Sequence, residues 1–286
     1  LLHCTSNTAP IHCPVPLVLT LHDIIFLEPR QGGNRSWYQN MGWYYRRMVV
    51  PRILSQCEKI ITVSHFECNR IREALQLPKD KITAIYNGYS EHFRPLSETL
   101  SITRKYIDDD DYIFFLGNTD PKKNVARTLK AYSLYLKQSD KKRPLLIADL
   151  SKDKLDAILR EQQIEEIKPY LSYPGYIPNK DLAYLYNGAF VFLYTSLRES
   201  FGIPMLEAMA CGTPVITGNT SAMPEIAGEG GILVNSLNAK EIAEKILYLE
   251  QDQIFYQNQI KYGLNRVQKF SWAQTAENLL SLYKTI

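Results

Sequence analysis

Short apolar runs alternate with stretches of helical spacing along the whole chain, and that alternation limits the possible folds more than any other feature. The runs fall at 17–21 (LVLTL), 59–63 (KIITV), 81–86 (KITAIY), 112–116 (YIFFL), 145–148, 171–175, 189–194 (AFVFLY), 214–217 and 231–234. They are short and rich in β-branched and aromatic residues, which marks them as strands. Several are apolar at consecutive positions, so both faces of those strands are buried. A strand that returns to its neighbour through a helix runs parallel to it. The chain is therefore expected to be an α/β protein of βαβ units.

The pattern lapses between 93 and 111, where Pro95, Ser97 and Ser101 precede four aspartates, Asp108 to Asp111. At 286 residues the chain has room for two ordinary domains. A linker at 97–111 would separate a first domain, 1–96, from a second, 112–270. The aspartate run contains Asp-x-Asp, a pattern able to hold a metal ion, but with no other ligand nearby it reads as a solvated loop. A helix rich in Tyr and Arg is expected at 36–55, with Gly42 and Pro51 as breaks; a half-exposed helix covering the sheet is the preferred reading, with membrane contact as the alternative. Ser64 is placed to cap a helix over 65–75. The last segment, 271–286, has Ser271 as cap and Trp272, Ala276, Leu279 and Tyr283 along one stripe.

The stretch 196–214, SLRESFGIPMLEAMACGTP, carries the densest chemistry. It follows a buried strand, so Glu199 sits on the strand-to-helix loop. Pro204 suits a first helical turn, and Gly212 with Pro214 makes a stop. Glu207 therefore lies about one turn into the helix. A helix opening at a glycine loop presents unpaired N–H groups and a positive dipole end, which favours an anion such as phosphate. A carboxylate beside that anion can accept hydrogen bonds from two neighbouring sugar hydroxyls. An ordinary strand–loop–helix with two surface acids is the plainer alternative.

Glu199-Ser-Phe-Gly-Ile-Pro…Leu-Glu207-Ala-Met-Ala-Cys-Gly-Thr-Pro214-Val resembles the E-x7-E signature of the family-four retaining glycosyltransferases. The resemblance implies the GT-B fold, two Rossmann-like domains with the terminal helix, 271–286, crossing back to the first. Such a first domain is longer than 1–96, so by resemblance this one is partial and acceptor-side, while 112–270 binds the nucleotide sugar. The implied activity is metal-independent transfer of a hexose, mannose among the candidates. The donor would be a GDP- or UDP-sugar, and the acceptor a saccharide or lipid-linked molecule of cell-envelope polysaccharide such as lipopolysaccharide. Configuration at the anomeric carbon would be retained, and no cofactor is implied.

By the same resemblance Glu199 contacts hydroxyls of the transferred sugar and Glu207 holds the ribose diol. The N–H groups of Phe201, Gly202 and Ile203 would serve the diphosphate or the sugar. The loop Gly117-Asn-Thr-Asp-Pro-Lys-Lys-Asn124 is similar to the family's phosphate loop, whose second basic residue, here Lys123, touches the diphosphate. Asn118 stands where many relatives carry Arg. Lys122 and Lys123 could otherwise be surface lysines, although cations are unfavourable at a helix start unless an anion is near. Ile177, in a Gly-Tyr-Ile-Pro turn, matches a base-pocket position, or is simply packing. His22-Asp23 resembles the His-Asp pair that follows a strand in these enzymes, with the His beside the sugar. A histidine there can exchange a proton near neutral pH, and a structural histidine is the alternative.

Composition narrows the partners. A net charge of +3 argues against nucleic acid and allows at most weak, peripheral attraction to an anionic membrane face. No apolar run approaches the ~20 residues needed to span a bilayer, and no signal peptide is expected from the first residues. Five scattered cysteines without a C-x-x-C pair suggest reduced thiols and a cytoplasmic setting, at the inner face of the membrane if membrane-associated. Glycosylation-like triplets at Asn34 and Asn219 would then be chance. Two rival readings remain: a nucleotide-sugar-binding protein without transfer, which the short first domain favours, and an epimerase of the same fold, which the paired glutamates disfavour.

Overall fold

The computed structural model describes residues 1–27, 37–118 and 120–286, with side chains from 41 onward in the helix that starts at 37. The triplet at Asn34 and Thr119 of the 117–124 loop lie outside the described residues. The chain forms two compact units, Leu1–Gly88 with Trp272–Ile286, and Tyr89–Ser271.

The first unit contains β1 (Leu2–Cys4), β2 (Leu17–Thr20), α1 (Trp37–Gln56), β3 (Cys57–Thr62), α2 (His65–Leu75) and β4 (Ile82–Ala84). The four strands among its described residues are parallel, in the order β1-β2-β3-β4. Leu17, Leu19, Ile60 and Ile82 from the strands meet Val50, Ile53 and Ile71 from the helices in one core. Ser64 accepts the Glu67 N–H at 3.2 Å, so α2 is capped as its sequence requires. α1 runs through both expected breaks, Gly42 and Pro51. Pro51 and Arg47, whose carbonyl loses its helical donor, are both exposed residues, so water can satisfy that carbonyl and the break is tolerated. Among the described residues no helix is long and apolar enough to cross a membrane.

The terminal helix, Trp272–Tyr283, packs within this unit. Thr275 donates its hydroxyl to the Tyr86 carbonyl at 2.7 Å, and Leu279, Leu282 and Tyr283 cover Val18, Ile61 and Ile85. The packed stripe is thus Thr275, Leu279, Leu282 and Tyr283, while Trp272 and Ala276 are exposed. Helical spacing fits either stripe, and the hydroxyl–carbonyl contact favours the second.

The second unit contains α3 (Leu100–Thr103), β5 (Tyr112–Leu116), α4 (Val125–Leu136), β6 (Leu145–Ala148), α5 (Lys152–Gln162), β7 (Leu171–Gly175) and α6 (Asn179–Gly188). It continues with β8 (Ala189–Tyr194), α7 (Ile203–Ala210), β9 (Val215–Gly218), α8 (Met223–Ala227), β10 (Gly231–Val234), α9 (Ala239–Gln251) and α10 (Gln253–Val267). Its six strands are parallel in the order β10-β9-β8-β5-β6-β7. The chain steps outward from β5 to β7, then returns to lay β8 on the other side of β5. The strand order reverses between β5 and β8, and doubly wound sheets bind ligands in the crevice at such a reversal, at the carboxyl ends of the strands.

The stretch 97–111, expected as a linker, belongs to this unit. Thr103 and Ile107 are buried. Asp110 pairs with Arg104 at 2.7 Å and Asp111 with Arg143 at 2.5 Å. Arg143 itself is buried over the Phe190 ring and pairs with Glu250 as well. The sequence lapse at 93–111 reflects few periodic apolar positions, and a handful of buried contacts suffices to dock it.

Candidate functional site

The crevice between β5 and β8 is assembled from two loops stitched together by backbone and amide contacts. After β5, Asn118 accepts the Asp120 N–H at 2.9 Å and Asp120 accepts the Lys122 N–H at 3.0 Å. These side-chain turns curl the loop back toward the sheet. Asn124 ends it in a left-handed conformation, φ 60°, which asparagine tolerates better than most residues. Its buried amide donates to the Thr195 carbonyl at 3.1 Å and the Ser236 carbonyl at 2.7 Å. The Leu197 N–H donates to the Lys122 carbonyl at 2.7 Å. The loop after β8 is thereby held against the loop after β5.

That stitching brings Lys123 and Glu199 together. Lys123 Nζ lies 2.8 Å from Glu199 Oε1, with side chains only 15% and 12% exposed. The ammonium also sits 5.0 Å from the centre of the Tyr194 ring, a cation–π contact. The Glu199 backbone is fixed from below: its N–H donates to Ser221 Oγ at 3.0 Å, and its carbonyl accepts the Ala222 N–H at 3.3 Å.

Gly202 then turns the chain into α7 with φ 102°. A side chain there would put its Cβ 2.6 Å from Met205 Cε and adopt strained backbone, so the turn requires glycine. Phe201 is buried edge-on against Phe270, and Ile203 is the first residue of the helix. The first N–H groups of any helix lack helical partners and carry its positive dipole end.

Glu207 lies one turn further and is 8% exposed. The Tyr186 hydroxyl donates to its Oε2 at 3.3 Å. Burial pushes its carboxyl up to about 7, a rise the Tyr186 hydrogen bond opposes. Tyr194 stands between the two glutamates. Burial, then the charge of Glu199 and its hydrogen bond, then the charge of Glu207, hold its phenol well above the usual value.

Ile177 is buried in the turn after β7. β7 lies beyond β6 on the side of β5 away from β8. His22 belongs to the first unit, just after β2. Its Nε2 donates to the Thr5 carbonyl at 3.0 Å. Its N–H donates to Asn7 Oδ1 at 2.7 Å. Among the described residues no group of three or more His, Cys, Asp or Glu is placed to hold a metal ion.

Lys123, Glu199, Glu207 and the Gly202 turn thus converge. Three residues that the sequence did not single out support them: Tyr194 as floor, Asn124 as staple and Ser221 beneath Glu199. Asn124 closing a Lys-Lys-Asn turn could have been suspected as an Asx pivot. Nothing in the sequence marks Tyr194 or Ser221.

The family described as Glycosyl transferases group 1 matches residues 100–266, and that described as Glycosyltransferase Family 4 matches residues 1–92. The chain is 29% identical to the O-antigen chain mannosyltransferase B of Escherichia coli across 94% of its own length and 70% of that protein's. It is 27% identical to the serotype-specific mannosyltransferase WbdA of Escherichia coli, over 96% of this chain but 34% of WbdA. It therefore spans about a third of the latter relative. A structure of Anabaena Alr3699/HepE in complex with UDP and glucose superposes with a TM-score of 0.77 at 18% identity, covering 95% of this chain and 72% of that one. At that identity the likeness speaks for the fold alone.

Proposed function

The chain belongs to the glycosyl transferases group 1 family, and we propose that it transfers a hexose from a nucleoside-diphosphate sugar to a saccharide or lipid-linked acceptor in cell-envelope polysaccharide synthesis. Mannose is the proposed sugar, because the relatives named above are mannosyltransferases of O-antigen chains and serotype. The second unit takes the donor and the first unit serves the acceptor side.

One observation carries this reading: Lys123 and Glu199, from the loops that follow β5 and β8, meet at 2.8 Å where the strand order reverses. Breaking the bond from anomeric carbon to phosphate builds negative charge on the leaving diphosphate and positive charge on the sugar ring. Lys123 and the N–H groups that open α7 stabilise the diphosphate from positions fixed in advance. Glu199 accepts hydroxyls of the sugar, Glu207 accepts the ribose diol, and Ile177 packs on the base. The reaction retains anomeric configuration by front-face displacement, with the leaving phosphate taking the acceptor's proton, and uses cations of the protein rather than a metal ion.

Contact with an anionic membrane face extends the proposal. The outer side of α1 exposes Met41, Tyr44, Tyr45 and Met48 beside Arg46, Arg47 and Arg52. Apolar and aromatic side chains flanked by arginines suit the headgroup region of such a surface. Sedimentation with anionic vesicles, reduced when Arg46 and Arg47 become Glu, tests this part; equal sedimentation contradicts it.

Activity is tested by incubating the protein with GDP-mannose and with UDP-glucose, each with an O-antigen-type oligosaccharide, and reading product and anomeric configuration by NMR. Transfer with retention supports the proposal. Turnover of the donor without acceptor to an epimeric sugar nucleotide, or inverted product, would sink it.

A further inference from the structure

The Lys123–Glu199 pair has a property beyond its place in the crevice: each partner occupies the other. The ammonium and the carboxylate are 2.8 Å apart and largely shielded. The Tyr194 ring beneath the ammonium is 3% exposed and ends β8, so the cation rests on a fixed floor. Ser221 and Ala222 hold the Glu199 backbone, so the carboxylate has little freedom to retreat.

We propose that Glu199 is a specificity-determining residue that makes the crevice prefer a sugar-bearing nucleoside diphosphate over the bare nucleoside diphosphate. The inference rests on the reading above that this crevice takes such a donor. A bare diphosphate must share Lys123 with a carboxylate and brings its own negative charge close to it. In a half-buried site, with weak screening, that repulsion is felt. It also offers Glu199 no hydrogen-bond donor in return. A donor's sugar supplies hydroxyls to the carboxylate, and hydrogen bonds to a charged acceptor are the strong ones. The same pair therefore favours the substrate and loosens the spent nucleotide once the sugar has left, so product departs more readily.

Glu199→Gln keeps the shape and removes the charge. Isothermal titration of wild type and variant with UDP, GDP and ADP, and with the corresponding sugar nucleotides, reads the effect. The variant should bind the preferred bare nucleotide about tenfold tighter than wild type, the scale of one partly shielded charge contact. Its preference for the sugar nucleotide should fall by at least the same factor. Glu199→Ala should shift bare-nucleotide binding in the same direction, and Lys123→Met in the Glu199→Gln background should erase the gain. A gain of affinity cannot arise from a protein that has failed to fold. If wild type binds a nucleotide and both folded variants bind it equally or more weakly, the inference is overturned. If wild type binds none of these ligands, the reading of the crevice itself is overturned.

Discussion

Glu207 offers a test in which the sign of an effect follows from its burial. Its carboxyl is raised from 4.5 to about 7 because a charged form is poorly solvated at 8% exposure. The folded state therefore binds this proton more tightly than the unfolded state. Stability must fall as pH rises from 4.5 toward 7, and the full penalty is present by pH 8. Between 4.5 and about 7, at 1.36 kcal/mol for each pH unit, the penalty grows to roughly 3 kcal/mol. Glu207→Gln replaces the acid with a neutral group of the same shape that can still meet the Tyr186 hydroxyl. At pH 5 the variant and wild type should have similar stability. At pH 8 the variant should be the more stable by about 3 kcal/mol, or roughly 6 to 12 °C in Tm for a unit of this size. Trp37, Trp43 and Trp272 all belong to the first unit, so their fluorescence is the wrong probe. Hydrogen exchange of peptides from β8 and α7, read by mass spectrometry across pH, is the right one. A stability difference that does not change with pH, or a variant less stable throughout, would refute the reasoning.

Other outcomes follow from the same geometry. If the ribose diol takes the ionised carboxylate, nucleotide binding at pH 6 should release close to one proton and at pH 8.5 almost none; titration calorimetry in buffers of different ionisation enthalpy measures this, and no release at pH 6 contradicts it. Asn124→Ala removes two hydrogen bonds to carbonyls and leaves alanine at φ 60°, which should cost roughly 3 kcal/mol in urea unfolding; a loss below ~1 kcal/mol would mean the two loops hold without the staple. Gly202→Ala forces a Cβ within 2.6 Å of Met205 Cε at φ 102°, so it should lower stability by about 1–3 kcal/mol and weaken nucleotide binding; unchanged affinity would remove the turn from the site.

Much of this architecture is legible in the residues because buried strands are apolar at consecutive positions. Tyr112–Leu116, Ala189–Tyr194 and Gly231–Val234 lie where their runs place them, and the helix after Gly202 begins at Ile203. β1 escapes because three residues, Leu-His-Cys, have no pattern of their own and become a strand by pairing with β2. Pro51 misleads because its effect depends on what faces the freed carbonyl, which is a tertiary matter.

The site divides in the same way. Glu199, Glu207 and Lys123 can be named from spacing and resemblance. Their relations cannot, since Lys123 and Glu199 are 76 positions apart and meet only because β8 returns beside β5. The raised carboxyl of Glu207 depends on how deeply α7 sinks into the core. Tyr194 reads as one more strand aromatic until the cation above it is seen.

The diphosphate cradle at the β5–β8 reversal is tested most directly by titrating wild type and Lys123→Met with GDP-mannose, UDP-glucose and ADP-glucose. One sugar nucleotide should bind wild type with a Kd in the micromolar range, roughly −8 kcal/mol, and Lys123→Met should weaken it by at least about tenfold. Equal affinity in the two proteins, or no binding by either, would contradict the assignment.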